Sequence, residues 1–419
     1  MNSLELFSGV GGLAKGLELS GFHHTKLVEC NKYAYASLCQ NFEAEKVFFG
    51  DIRDFDLERL NDIDIVAGGP PCQPFSLGGN HKADRDSRDM FPYAIRAIEK
   101  LRPKAFIFEN VKGLLRQTFS DYFKYIILRL TYPSFSAEPN SDWQQHLGEL
   151  QDISRLSYAG TKYNVQFKLI NAANYGVAQT RERVVIVGIR SDLNCFWQFP
   201  PETHSTDRLF WDVHVTEEYW ERHKIPKSER PLIDKSVQDR IYKLIKKYGM
   251  IEPNLMPWQT IRDALSDLPD PTSNHGMSDH IFRNGARIYP GHTGSILDLP
   301  AKTIKAGDHG VPGGENMIRF PDGQVRYLTV FEAKRLQTFP DNFVIKGGWG
   351  ESMRQIGNAV PVLSIASAPI NASLYSNVCP NLSAIAFITR IDCLVTSGPM
   401  PSPFSTAIFQ APLPPEGGF

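Results

Sequence analysis

Over residues 1–190, short apolar runs alternate with helical patterns, and this alternation constrains the fold more than any other feature of the chain. Runs at residues 3–7, 26–30, 63–67, 105–109 and 183–189 read as strands, and residues 12–20, 32–41 and 90–101 between them carry helical periodicity. Strands separated by helices need crossover connections rather than hairpins. The expected result is an α/β fold built on a doubly wound, mainly parallel sheet with helices on both faces. Several runs end in glycine or polar residues, so their carboxyl ends line one crevice, the edge where such sheets hold ligands.

At 419 residues the chain exceeds one average domain, and two structural units are expected. A net charge of −1 argues against a general polyanion binder, so any nucleic-acid surface must come from segregated charge. Residues 221–247 provide such a segregation, with nine Lys or Arg against four Asp or Glu, although a solvated helix face explains that run equally well. The six cysteines (30, 39, 72, 195, 379 and 393) form no CxxC pair and no metal-ligand spacing. Their pattern predicts free thiols, a reducing compartment and no metal. No apolar stretch reaches membrane-spanning length and no signal-peptide pattern opens the chain. The expectation is a cytoplasmic protein with no membrane association and no targeting module ahead of the strand at Ser3.

The crevice carries the parts of a nucleoside site. Phe7-Ser8-Gly9-Val10-Gly11-Gly12 follows the first strand and opens the first helix, where glycines admit a ligand close to the backbone and the helix N-terminus favours negative groups. Its spacing is not the full dinucleotide fingerprint. Glu29 ends the second strand, where an acid can accept hydrogen bonds from ribose hydroxyls. Asp51, after Phe48-Phe49-Gly50, is a candidate acceptor for an adenine amino group. Further on, the run GGPPCQPFS places Cys72 in a turn at the end of an apolar strand, stiffened by Pro70 and Pro71. A lone cysteine is usually a small buried hydrophobe. Glu109 ends another strand, where partial desolvation suits a carboxyl to proton donation, though a cap or structural ion pair is the ordinary explanation. Gln179-x-Arg181-x-Arg183 leads into the strand at 184–188, and alternation puts both arginines on one face at its entrance.

Taken in order, FSGVGG, Glu29, Asp51, GGPPCQPFS, Glu109-Asn110-Val111, QTRERVVIVG, RYLTVFEAKRLQTFP and QIGNAVPV resemble the DNA (cytosine-5) methyltransferase family, over residues 3–190 and 326–362. The resemblance implies a Rossmann-like methyltransferase fold with a smaller, loop-rich target-recognition domain. It also implies methyl transfer from S-adenosylmethionine to carbon 5 of a specific cytosine in double-stranded DNA, on a base flipped out of the helix. By family position, Cys72 would attack carbon 6, Glu109 would protonate ring nitrogen 3, and Arg183 would contact the exocyclic oxygen with Arg181 in support. Phe7, Gly9, Gly11, Glu29, Asp51, Ile52 and Asn358 fall on cofactor positions. Where the family usually has a bulky apolar residue after the ribose-binding acid, this chain has Cys30. Gln73, Ser76 and Arg88 match positions beside the flipped base or on the DNA backbone, within a mobile loop placed at 78–89.

The domains expected on this basis are a catalytic and cofactor-binding unit at 1–190, a target-recognition unit at 191–325, a return segment at 326–375 and an atypical tail at 376–419. Within the recognition unit, residues 291–314 read as loops rather than packed core, with Lys302, Thr303, Lys305 and His309 as candidate DNA contacts. In the last 49 residues only Arg390, Asp392 and Glu416 are charged, and seven prolines fall between Pro380 and Pro415. Pro369 would break a helix at 362–375, and the residues beyond Tyr375 read as a loosely held, non-native extension. An RNA cytosine-5 methyltransferase and a non-catalytic DNA-binding relative are the alternatives. The Cys-Phe-Thr tripeptide of the tRNA-acting branch is missing; Cys195-Phe196-Trp197 is the nearest approach. The setting implied is a monomer acting on nucleoid DNA, with a cognate restriction endonuclease as a possible partner.

Overall fold

The computed structural model describes residues 1–71, 89–138, 141–156, 158–195, 197–306 and 316–363. Strands β1 (Asn2–Leu6), β2 (His23–Glu29), β3 (Val47–Phe49), β4 (Ile65–Gly68), β5 (Ala105–Val111), β6 (Tyr163–Asn171) and β7 (Glu182–Arg190) form one sheet in the order β3-β2-β1-β4-β5-β7-β6. Neighbours are parallel from β3 to β5, and β7 runs antiparallel to both β5 and β6. The expected mainly parallel α/β sheet is therefore present, with β3 and β6 added to the strands read from sequence.

Alternation along each strand feeds two cores. Leu4, Leu6, Val66, Phe106, Phe108, Val184 and Ile186 face one side, where α3 (Phe91–Leu101) and α4 (Ser120–Thr131) cover them. Ile65, Ala67, Ala105, Val185, Val187 and Ile189 face the other, where α1 (Gly12–Leu19) contributes Leu13 and Leu17. Central strands of this kind are apolar on both faces, which explains their near-continuous runs of Val, Ile and Phe. Helix α2 (Lys32–Asn41) starts where predicted because the Asn31 side chain accepts hydrogen bonds from the N–H groups of Tyr33 and Ala34. Helix α5 (Trp143–Ile153) packs on α4 outside the sheet.

After β7 the chain forms β8 (His204–Ser205), α6 (Thr206–His214), α7 (Glu218–Arg222), α8 (Lys235–Tyr248), β9 (Met256–Pro257) and α9 (Ile261–Leu265). A small sheet of β10 (Ser295–Ile296), β11 (Met317–Arg319) and β12 (Val325–Tyr327) follows, then α10 (Val330–Leu336) and α11 (Trp349–Asn358). The sequence boundary between residues 325 and 326 falls inside β12. Contrary to the reading of 291–314 as loops rather than packed core, Ala301 and Ile304 are buried in a cluster with Ile318, Leu328, Leu336, Met353 and Ile356. Flexible composition misled there because short apolar residues between glycines still have a core to fill. Among the described cysteines, Cys30 and Cys39 are free. The tail reading at 376–419 and the kink at Pro369 lie outside the described residues.

Phe106 is fully buried, stacks on Phe108 at 5.3 Å and meets Tyr163 at 5.2 Å. Phe106→Ala is expected to destabilise the fold by about 3–5 kcal/mol, read from the shift in denaturant midpoint.

Candidate active site

Two turns face each other at the centre of the sheet. The strand order reverses between β1 and β4, and the segments after these strands flank the crevice that such a reversal opens. After β1, Phe7 adopts φ 56°, a left-handed conformation that costs a non-glycine residue energy and is found at ligand-holding turns. Gly11, at φ 91°, lets the chain swing into α1 without a capping side chain, so the helix N-terminus stays open toward the crevice. A Cβ built on Gly9 would meet no atom within 4 Å, which leaves the cradle above that turn accessible to a ligand.

Glu29 is buried at the end of β2, one strand away. One carboxylate oxygen accepts from the Gly9 N–H at 2.7 Å and the other from the Asn31 N–H at 2.6 Å. Burial pushes this acid above its ordinary range, opposed by those backbone hydrogen bonds. Each oxygen keeps a lone pair for a ribose hydroxyl. Asp51 caps the turn at 52–54 and accepts two further hydrogen bonds from the Arg53 guanidinium, at 2.8 and 2.6 Å. Arg53 holds the carboxyl down at about 2, so Asp51 is an ionised acceptor. Ile52 beside it is buried, and Asn358 stands exposed at the end of α11. These residues suit the adenosine half of S-adenosylmethionine: open glycine turn, ribose acid, ionised acceptor, apolar neighbour. Cys30 is exposed, as expected of a residue that offers no stacking face.

Across the crevice, the carboxylate of Glu109 near the end of β5 pairs with Arg183 Nε at 2.6 Å, both side chains largely shielded from solvent. This pair is possible because β5 and β7 are antiparallel neighbours, with Val111 opposite Arg183. A Cβ on Gly69 would lie 3.3 Å from Glu109 Oε2, so this acid sits against the backbone that leads into Cys72. Cys72, Gln73, Ser76 and Arg88 lie outside the described residues, as does most of the expected loop at 78–89 and His309. Their flanks are described and meet: the Met90 N–H donates to the Pro71 carbonyl at 3.3 Å.

Asn110 was not singled out from sequence. It is buried, and its side-chain amide donates to the Pro70 carbonyl at 3.0 Å while its oxygen accepts from the Val111 N–H. It thereby ties the Pro-Pro turn to the strand that carries Glu109. The signal was its place after Glu109 in a strand otherwise free of amides.

β7 begins at Glu182, so Arg181 lies just ahead of the strand and Arg183 within it; Arg183 pairs with Glu109, and the charges of both reach Arg181. Arg181 precedes the strand at 1% exposure and donates to the main-chain carbonyls of Gly357 at 2.7 Å and Ile304 at 3.4 Å. Thr303, a candidate DNA contact, donates its hydroxyl to the Thr180 carbonyl at 2.7 Å, whereas the side chains of Lys302 and Lys305 are exposed, with Lys302 reaching Thr293.

A doubly wound sheet with β7 inserted antiparallel, a glycine turn with a ribose acid, and a carboxylate–arginine pair beside a cysteine turn define a nucleoside-cofactor transferase. The chain belongs to the C-5 cytosine-specific DNA methylase family, whose model matches residues 1–139 and 145–368. It therefore transfers the methyl group of S-adenosylmethionine to carbon 5 of cytosine in DNA. It is 30% identical over 372 residues to the Type II methyltransferase M.NgoMIV of Neisseria gonorrhoeae, covering 86% of this chain and 93% of that protein. It is 29% identical over 366 residues to the Type II methyltransferase M.AplI of Arthrospira platensis, covering 86% and 82%. A prophage-encoded E. coli protein described as a DNA modification methyltransferase superposes with a TM-score of 0.52 at 19% identity, over 87% of this chain and 96% of that one, and shares the fold.

Asn110→Ala should lower kcat by roughly 10–100-fold, because the turn before Cys72 loses its anchor, while cofactor affinity stays unchanged. Glu29→Ala should do the reverse, weakening S-adenosylmethionine binding in calorimetry with little effect on DNA affinity.

Proposed function

We propose that the chain methylates one specific cytosine in double-stranded DNA through a covalent bond between Cys72 and carbon 6. The observation that carries this reading is the Glu109–Arg183 pair, set against Gly69 three residues before the cysteine. Carbon 5 of cytosine is a poor nucleophile. Addition of the Cys72 thiolate to carbon 6, with proton donation from Glu109 to ring nitrogen 3, makes carbon 5 enamine-like. General acid help of this kind contributes about 10²–10⁴ in rate. Arg183 holds the exocyclic oxygen, and Arg181 supports it from behind. S-Adenosylmethionine supplies a methyl group already activated by its sulfonium, so carbon 5 can take the methyl without a metal. Loss of the carbon 5 proton then expels Cys72 and restores the ring.

The cofactor is held by Phe7, Gly9, Gly11, Glu29, Asp51, Ile52 and Asn358. Because carbon 6 is shielded inside stacked DNA, the target base is rotated out, and Gln73, Ser76 and Arg88 meet the opened duplex. Lys302, Thr303 and Lys305 belong to the recognition side. The polypeptide acts as a monomer on nucleoid DNA in the cytoplasm. Its likeness to Type II methyltransferases favours a cognate restriction endonuclease that cuts the same site when unmethylated.

The deciding experiment is transfer from labelled S-adenosylmethionine to duplex DNA and to tRNA, with the modified base mapped. Transfer to one cytosine of a DNA motif is expected, and transfer to tRNA alone would reject the DNA reading. Cys72→Ser should reduce turnover by about 10³-fold or more while retaining DNA binding. Duplexes with 5-fluorocytosine at the target should trap the wild-type protein covalently, since no proton can leave carbon 5; active methylation without trapping would refute Cys72 as nucleophile.

A further inference from the structure

The basic run at 221–247 has no part in the site described above. Its chain leaves the body at β8 and returns beside it at β9, because these two strands pair with each other. Everything between them is a closed helical excursion with its own apolar centre of Leu209, Tyr219 and Trp220. The excursion is fastened to the sheet edge that carries the active site. The Thr203 N–H donates to the Asn174 carbonyl, and the Trp258 indole donates to the Asn174 side chain at 2.9 Å, just past the carboxyl end of β6. β6 runs parallel to β5, so that end lies on the same edge as Glu109.

Helix α8 is the outer wall of the excursion. Leu244 is buried on its inner face, with Val237, Ile241 and Tyr248 partly covered beside it. The opposite stripe holds Lys235, Asp239, Tyr242, Lys243 and Lys246, all exposed. Two other cations of the helix are engaged: Lys247 pairs with Asp207 at 2.8 Å, and Arg240 stacks on Phe210 at 4.1 Å. Lys235, Lys243 and Lys246 form no ion pair among the described residues.

We propose that this stripe of α8 docks on the DNA phosphate backbone beyond the target base pairs. The proposal rests on the DNA reading above and adds a second contact to it. Charge complementarity selects the occupant. A chain of net charge −1 gains little attraction from its bulk, whereas this stripe carries three lysines against the single acid Asp239 and keeps a local positive excess. Lys235 and Lys246 lie about 16 Å apart along the helix at about 1.5 Å per residue. A DNA strand presents a phosphate about every 3.4 Å of axis, so a stripe of this length spans several phosphates of a backbone rather than a single anion. Tyr242, at 70% exposure, brings a hydroxyl donor of the kind that contacts phosphate and sugar.

The test uses the full chain, with S-adenosylmethionine affinity as the check on folding. Wild type and the Lys243→Gln/Lys246→Gln variant are titrated with a duplex extending well past the methylated site and with a minimal duplex, over a range of salt. On the long duplex the variant should bind about 10-fold more weakly, with a log–log salt slope shallower by about 2. The loss should be equal for methylatable and scrambled sequences and should vanish on the minimal duplex. Wild-type affinity and slope in the variant on the long duplex would overturn the proposal. A loss confined to the methylatable sequence would also overturn it, and would assign α8 to base recognition. A wild-type protein that methylates no DNA would instead defeat the underlying reading, and this proposal with it.

Discussion

Arg181 brings a cation into a place without water, and two main-chain carbonyls receive its hydrogen bonds. Burial pushes its pKa down to about 9, the charge of Arg183 pushes the same way, and Glu109 opposes both. Glu109 and the two carbonyls thus offset part of the cost of burying this guanidinium. Three segments distant in sequence therefore meet at one side chain: the approach to β7, the stretch around Ile304, and the end of α11. Close packing completes the joint, since a Cβ on Gly357 would come within 2.5 Å of the Ala306 nitrogen. Removing a partner from a buried charge of this sort is far more costly than losing a surface ion pair.

The second constraint is topological. Helix α1 follows β1 onto one face of the sheet, and α3 follows β4 onto the other. Two adjacent strands whose continuations diverge must leave a gap between them, bordered by the glycine turn after β1 and by the Pro70-Pro71 turn after β4. Neither turn creates the site alone. Asn110 ties the proline turn to the strand that carries Glu109.

Much of this was legible because the central strands are buried on both faces and read as apolar runs. β3 was missed because it is a three-residue edge strand. β6 was missed because its residues are mostly half-exposed, which dilutes the pattern. Glu29 and Glu109 stood out in the sequence because they lie at or near strand ends, where position alone gives an acid a crevice to face. The partners of Arg181 were not legible, because they are carbonyls of Ile304 and Gly357 and backbone acceptors leave no mark in a sequence. The same blindness hid the burial of Ala301 and Ile304 among glycines and lysines.

Backbone pairing also joins two segments distant in sequence just ahead of β7. Ala301 donates its N–H to Ala178 and accepts from Thr180, and Gln179 accepts from the Ile304 N–H. Residues 178–181 and 301–304 thus run together in a fixed register, directly ahead of the strand that carries Arg183. These bonds depend on main-chain groups and on Gln179, not on the side chains of Lys302 or Lys305, which face solvent. Substitution at those outward positions leaves the register intact, whereas Thr303 and Ile304, turned inward, are fixed by it. The seam therefore holds the approach to β7, and with it Arg183, in place whatever side chains stand at the outward positions.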